Sequence, residues 1–181
     1  MRKRLRDLPD LTQTYPALYD HTRWSDHIVR VGVTVSVATW FRDAITGADL
    51  SCGDGAILNA VADRLDMERL YLGDFVPGYE FQGPIEETIK QIPNVDLFIL
   101  SETIEHLEDP DSILRQIREK TKYLVLSTPD GEWADSNPEH VWGWDNAEIR
   151  SMLESAGFTI DIYNSLKFPD GYYTFQIWGC R

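Results

Sequence analysis

The stretch Ala48-Asp49-Leu50-Ser51-Cys52-Gly53-Asp54-Gly55 decides how this chain is read. It lies where a short apolar strand gives way to a helical stripe, Ile57, Leu58, Val61 and Leu65. Gly53 and Gly55, one residue apart, let the backbone turn sharply and approach a ligand closely. The helix that follows opens with N–H groups suited to a carboxylate or other anion. By itself such a pair of glycines is equally a structural turn. The position three after Gly55 is Leu58, so the G-x-G-x-x-G of dinucleotide sites is incomplete and NAD or FAD is disfavoured. No G-x-x-x-x-G-K-[ST] occurs, which excludes a P-loop. Asp74, 25 residues after Asp49, ends the next strand. An acidic side chain there can accept hydrogen bonds from both hydroxyls of a ribose.

Outward from this loop, short apolar runs alternate with helical patterns, the signature of a parallel sheet flanked by helices. The expected strands are Ala48–Ser51, Leu70–Asp74, Val95–Ser101, Tyr123–Ser127, Thr159–Asn164 and Tyr172–Cys180. Asp96-Leu97-Phe98-Ile99-Leu100 is apolar without alternation, as a strand covered on both faces must be. Ile113, Leu114 and Ile117 form one further helical stripe, and Ile149, Met152, Leu153 and Ala156 another. Asp145 and Glu148 make a capping box before the last helix, and Gly157 stops it. Pro169-Asp170-Gly171 is a turn that makes the last two strands an antiparallel pair. The fold class is therefore α/β, with a sheet that is mostly parallel and ends in a C-terminal antiparallel strand.

Two stretches are ambiguous. Val29, Val31, Val33, Val35 and Val37 alternate like a strand, while Val37, Trp40, Phe41, Ala44 and Ile45 have helical spacing. The link Phe75–Tyr79 is also too short for an ordinary parallel crossover, which needs about a dozen residues. Either Tyr79–Gln82 is not a regular strand or it follows an unusual path.

Composition bounds the function. A length of 181 residues fits one domain, and 30 acidic against 17 basic residues give a net charge of −13. That field repels phosphate backbones, so non-specific nucleic-acid binding is not expected. Cys52 and Cys180 cannot form a disulfide framework and no CxxC pair points to zinc, so a reduced, cytoplasmic protein is expected. No apolar run approaches a membrane span. The basic stub Arg2, Lys3, Arg4 and Arg6 lacks the apolar region of a secretory signal and reads as a solvated tail.

A second chemical cluster follows the strand Val95–Ser101. Glu102, Glu105 and His106 share one face if the segment turns helically, and His140 follows the next strand. Two carboxylates with imidazoles can hold Mg, Mn or Fe, or act as general bases. Equally, Glu105 and His106 can cap a turn and bond backbone. His21 and His27 read as surface or lid residues. Trp133, Trp142 and Trp144 either line an apolar acceptor pocket or close the edge of the core.

Together these elements resemble the class I S-adenosylmethionine (SAM)-dependent methyltransferases, chiefly the ubiquinone-type and small-molecule O-methyltransferases. Asp49–Gly55 looks like their D-L-G-C-G-x-G loop, Ser101–Pro110 like their E-x-x-E-H-x-x-D-P segment, and Ala156-Gly157-Phe158 like their A-G-F. The resemblance implies a three-layer Rossmann-like domain. It implies a single domain over 1–181, with residues 1–46 helical and lid-forming, 47–181 the core, and Tyr15, Trp24 and His27 over the cofactor. It implies SAM held by Asp49, Ser51, Cys52, Gly53, Gly55, Asp74, Phe75, Ile85, Ser101 and Glu102. His106, His140 and Glu102 would be catalytic, and a small-molecule acceptor would be methylated on oxygen or nitrogen. Glu102, Glu105, His106 and His140 also match the metal-binding pattern of the small-RNA 2′-O-methyltransferases, which implies a divalent ion, Mg or Mn. Such an RNA enzyme, or a non-catalytic SAM-binding scaffold, is the alternative. The chain departs from the family at Ser51, where a loop glycine is usual, and at Gly83-Pro84-Ile85, which lacks the usual adenine-reading Asp. The short link after Asp74 implies that one crossover helix is lost.

Overall fold

The computed structural model describes residues 1–11, 15–131, 137–168 and 174–181. Seven strands form one sheet: β2 (Thr46–Asp49), β3 (Arg69–Asp74), β4 (Phe81–Gln82), β5 (Val95–Ser101), β6 (Thr121–Pro129), β8 (Ile160–Lys167) and β9 (Thr174–Cys180), in the order β4-β3-β2-β5-β6-β9-β8. Pairing is parallel from β4 to β6, and β9 runs antiparallel between β6 and β8. The expected α/β class with its C-terminal antiparallel strand is what the chain adopts. The turn at Pro169-Asp170-Gly171 lies outside the described residues.

Apolar side chains cover both faces of the sheet. Phe98, Leu100, Leu124 and Leu126 belong to one core cluster and Leu97, Ile99, Val125 and Ile177 to the other. This alternation of burial along uninterrupted apolar strands makes three layers. Helices α1 (Ser25–Ala38) and α2 (Ala56–Leu65) lie with the second cluster, α4 (Pro110–Lys120) and α5 (Asn146–Ser155) with the first, and α3 (Ile85–Thr88) is a single turn. Asp109 and Asp145 cap α4 and α5, accepting from the N–H of Ser112 and Glu148, each at 2.9 Å.

The valine-rich stretch is helical, and it ends at Ala38 rather than reaching Ile45. Its buried positions Arg30, Thr34, Val37 and Ala38 follow helical spacing. A Cβ on Gly179 of β9 would lie 2.8 Å from Val37 Cγ1, so the glycine lets α1 seat closely on the sheet and outweighs the strand preference of valine. Phe41 and Ala44 are buried outside the helix, and Trp40 is 68% exposed. Tyr79–Gln82 takes the unusual path: only Phe81 and Gln82 pair, in register with Gly73 and Asp74, and no helix intervenes. A Cβ on Gly73 would meet Phe81 O at 2.6 Å, so the close approach depends on that glycine.

The basic stub is not a solvated tail. Arg2–Arg4 form β1, antiparallel to β7 (Trp142–Trp144) in a separate two-stranded ribbon. The guanidinium carbons of Arg2 and Arg4 stand 4.2 and 5.5 Å from the Trp142 ring centroid. Arg2 also meets Asp111 at 2.5 Å, and Arg4 spans both oxygens of Glu108 at 2.8 Å. In a chain this acidic, a basic segment finds partners on its own surface.

Candidate functional site

A cavity of about 920 Å³ opens where β2, β3 and β5 end, within the roughly 300–1,000 Å³ range of small-molecule sites. Leu50, Ser51 and Gly53 form its wall after β2, and Asp74, Phe75 and Ile85 its wall after β3. Ser101, Glu102, Glu105, His106 and His140 line the far side, and Tyr15, Trp24 and His27 line it from the N-terminal segment. Asp49, Cys52 and Gly55 are not lining residues and stand behind the loop.

The glycine loop is held by its own neighbours. Gly53 and Gly55 have φ of 54° and 76°, a conformation that favours glycine. Gly53 N–H donates to Asp74 Oδ2 at 2.9 Å, and Val76 N–H to Asp74 Oδ1 at 3.0 Å. Ala56 N–H, the first of α2, is taken by Asp54 Oδ1 at 3.0 Å. Of the N–H groups that open α2, the first is thus taken by a carboxylate from the loop itself. Ser51 Oγ lies 2.7 Å from Thr103 Oγ1, tying the loop to the segment after β5. Burial pushes the carboxyl of Asp49 up to about 7, with the nearby Asp74 adding, and it raises Asp74 as well. Burial also pushes the Cys52 thiol up, leaving it unreactive.

Arg30 is the cavity residue that reading the sequence missed. Among the described residues it is the only buried Arg or Lys, at 1% exposure, and it lines the cavity. Nη1 donates to Ser101 Oγ at 2.5 Å and Ser127 Oγ at 3.3 Å, whereas Nε is buried without a partner. No carboxylate lies within ion-pair distance among the described residues. A buried guanidinium with an unused N–H is costly unless an anion meets it. Its signal was a lone arginine on the inward face of the valine-rich helix.

On the far side, Glu102 has φ of 50° and accepts from Ser127 Oγ at 3.0 Å. Burial raises its carboxyl to about 7 although Arg30 pulls it down. Ile104–His106 form a 3₁₀ turn. Glu105 Oε2 accepts from Thr128 Oγ1 at 3.0 Å, and Trp144 Nε1 donates to the same hydroxyl at 3.1 Å. Glu105 Oε1 is buried with no partner. His106 Nδ1 lies 2.9 Å from the Glu139 carbonyl, which only accepts, so Nδ1 carries the proton and Nε2 keeps its lone pair. Burial drives His106 down to about 4, so it is neutral at pH 7. Its Nε2 is 3.9 Å from Glu105 Oε1, and its ring centroid is 4.9 Å from that of His140. Donor atoms of Glu105, His106 and His140 all lie within 4.8 Å of one another, and Glu102 is not one of the group. An orphaned carboxylate oxygen facing bare imidazole nitrogen fits a divalent cation.

Several expected roles resolve differently. Trp144 is 1% exposed in the core, and Trp142 donates from Nε1 to Leu107 O at 2.8 Å; neither lines the cavity, so both close the core edge. Trp133 lies outside the described residues. Of the surface and lid alternatives for His21, the second fits: it is 7% exposed, lines the cavity and pairs with Asp54.

Residues 20–162 match the family model described as a methyltransferase domain. The chain belongs to the methyltransferase-domain family. The fold of this methyltransferase domain is also that of solved enzymes. The N-methyltransferase NodS from Bradyrhizobium japonicum WM9, in complex with S-adenosyl-L-homocysteine (SAH), superposes with a TM-score of 0.70 at 13% identity, over 98% of this chain and 93% of that one. Magnesium protoporphyrin IX methyltransferase (ChlM) from Synechocystis PCC 6803, with bound SAH, gives 0.66 at 15% identity over 90% and 87%. The 1,6-didemethyltoxoflavin-N1-methyltransferase of Burkholderia thailandensis gives 0.68 at 11% identity over 88% and 79%. No curated protein sequence matches the chain significantly. Among the described residues no helix is long and apolar enough to cross a membrane.

Proposed function

We propose that this methyltransferase domain binds SAM and passes its methyl group to an oxygen or nitrogen of a small-molecule acceptor. The observation that carries the reading is the convergence of the Gly53 turn, the Asp74 carboxylate and the buried Arg30 on one cavity. Asp74 suits the ribose hydroxyls, Phe75 and Ile85 offer apolar walls for an adenine, and Gly53 lets Tyr19 and His21 close over the loop. Arg30 supplies the counter-charge for the amino-acid carboxylate, since Asp54 has taken the Ala56 amide. Asp49, Cys52 and Gly55 serve by shaping the loop, and Ser101 and Glu102 border the path from cofactor to acceptor. Structures of the same fold hold SAH or SAM, which supports this reading.

SAM brings an activated methyl group, so the chain's task is to align the nucleophile and exclude water. The neutral His106, with Nε2 bare, is the base for the acceptor's proton; His140 beside it and the partly protonated Glu102 shape that field. A second reading has one observation in its favour, the orphaned Glu105 Oε1. There Glu105, His106 and His140 would hold a divalent ion, which would supply Lewis-acid lowering of the acceptor's pKa. Two imidazoles and one carboxylate suit Mn better than Mg, which prefers oxygen ligands.

Calorimetric titration with SAM and SAH tests the first reading, with saturable binding of both expected; absence of heat from both would sink it. With an acceptor in hand, methyl transfer unchanged by EDTA would remove the metal.

A further inference from the structure

His21 belongs to the segment that roofs the cavity, and its ring is fixed from one side only. Nδ1 lies 2.5 Å from Asp54 Oδ1, and the His21 N–H donates to Asp54 Oδ2 at 3.1 Å. Asp54 sits between Gly53 and Gly55, and its own N–H donates to Tyr19 O at 2.9 Å. Three hydrogen bonds therefore lock the roof onto the loop. Burial works against the Asp54 charge, but the Ala56 amide and His21 outweigh it and hold the carboxyl below its ordinary value. An ionised carboxylate only accepts, so Nδ1 carries the proton and Nε2 keeps a lone pair. Burial lowers His21 itself, the Asp54 hydrogen bond and charge oppose it and the Arg30 charge adds to it, and the net direction is down, which favours the neutral ring at pH 7.

The lone pair has a defined place. A Cβ on Gly53 would lie 2.9 Å from His21 Cε1, the ring carbon between Nδ1 and Nε2, so the imidazole edge packs over the glycine loop. Nε2 bonds no described residue, and His21 is a lining residue of the cavity. Arg30 lines the same cavity and carries a buried positive charge, although its Nε–H is itself sealed in the protein. A bare acceptor and a buried cation in one cavity are complementary to a zwitterion, which brings an ammonium and a carboxylate on one carbon.

We propose that His21 is a cofactor-binding residue whose Nε2 accepts a hydrogen bond from the α-ammonium group of SAM while Arg30 holds the α-carboxylate. Asp54 sets the tautomer that makes this work. The inference rests on the SAM reading and adds to it a reader for each charge of the amino-acid end.

The test uses the full chain and two probes: SAH, and 5′-methylthioadenosine, which keeps the adenosine and the sulfur but has no amino-acid end. His21→Asn keeps a donor for Asp54 and removes the acceptor at Nε2, whereas His21→Gln places an amide oxygen near the Nε2 position. For His21→Asn, calorimetry should show SAH weakened about tenfold to a hundredfold, the loss of a hydrogen bond to a charged group, with methylthioadenosine within about twofold of wild type. His21→Gln should recover part of the SAH affinity. Equal loss for both probes would mean that His21 only holds the roof, and would overturn the proposal; so would unchanged SAH binding. If the wild-type chain binds neither probe, the SAM reading itself fails and this inference with it. If it binds both and His21→Asn changes neither, this inference alone falls.

Discussion

The proposed cofactor side of the cavity and its proposed acceptor side are built by opposite means. The loop wall of the first is nearly continuous in sequence: Asp49 to Asp54 form the turn, Asp74 follows one helix and one strand later, and the amides of Gly53, Ala56 and Val76 are held by carboxylates within the same stretch. The second joins segments remote in sequence. Glu105 and His106 meet His140, Thr128 steadies Glu105, the Glu139 carbonyl orients His106, and β1 pairs with the strand just after His140. A backbone-built turn can keep its shape while the rest of the chain drifts. A cluster of side chains exists only while several elements stay in register. Cofactor binding should therefore tolerate damage on the acceptor side, and the reverse should not hold.

The widest separation should come from His106→Asn. Methyl transfer should fall about 10²–10⁴-fold, the usual contribution of a general base, while SAH affinity stays near wild type. A parallel loss of SAH binding would break the distinction between the two sides. Asp74→Ala removes the acceptor for the Gly53 and Val76 amides as well as the ribose contact. SAH affinity should drop by about a hundredfold, two charged hydrogen bonds' worth, as read by calorimetry.

A smaller effect sharpens the contrast through pH. Burial raises the Asp49 carboxyl from 3.8 to about 7 in the folded chain. A raised pKa means that the folded state binds the proton more tightly, so the associated stability is present below about pH 4 and is lost as pH rises toward 7. Asp49→Asn has no proton to lose, so its stability, read by melting, should gain on wild type between about pH 4 and pH 7, at about 1.4 kcal/mol per pH unit, and level off above that window. An unchanging difference would show that Asp49 stays ionised. The least change belongs to Arg4→Ala at the exposed β1. It should leave melting almost unmoved, and what shift there is should shrink in salt. A large, salt-independent loss would mean that β1 is structural to the acceptor side.

Sequence periodicity by itself determined the α/β class, the parallel core and the capping of the last helix, because buried strands and amphipathic helices write their spacing directly into residue order. The glycine turn and Asp74 were legible for the same reason, being local. The valine run was not, since β-branched residues favour strands and only the packing of α1 on Gly179 turns it into a helix. Arg30 escaped notice with it, because its burial follows from that packing. The basic stub read as solvated because its partners, Trp142, Glu108 and Asp111, lie over a hundred residues away. Tertiary structure alone chose Glu105, His106 and His140 as the converging set and left Glu102 outside it. Which carboxylate meets which imidazole depends on how the chain returns across the sheet, and that is a long-range property that no spacing along the chain contains.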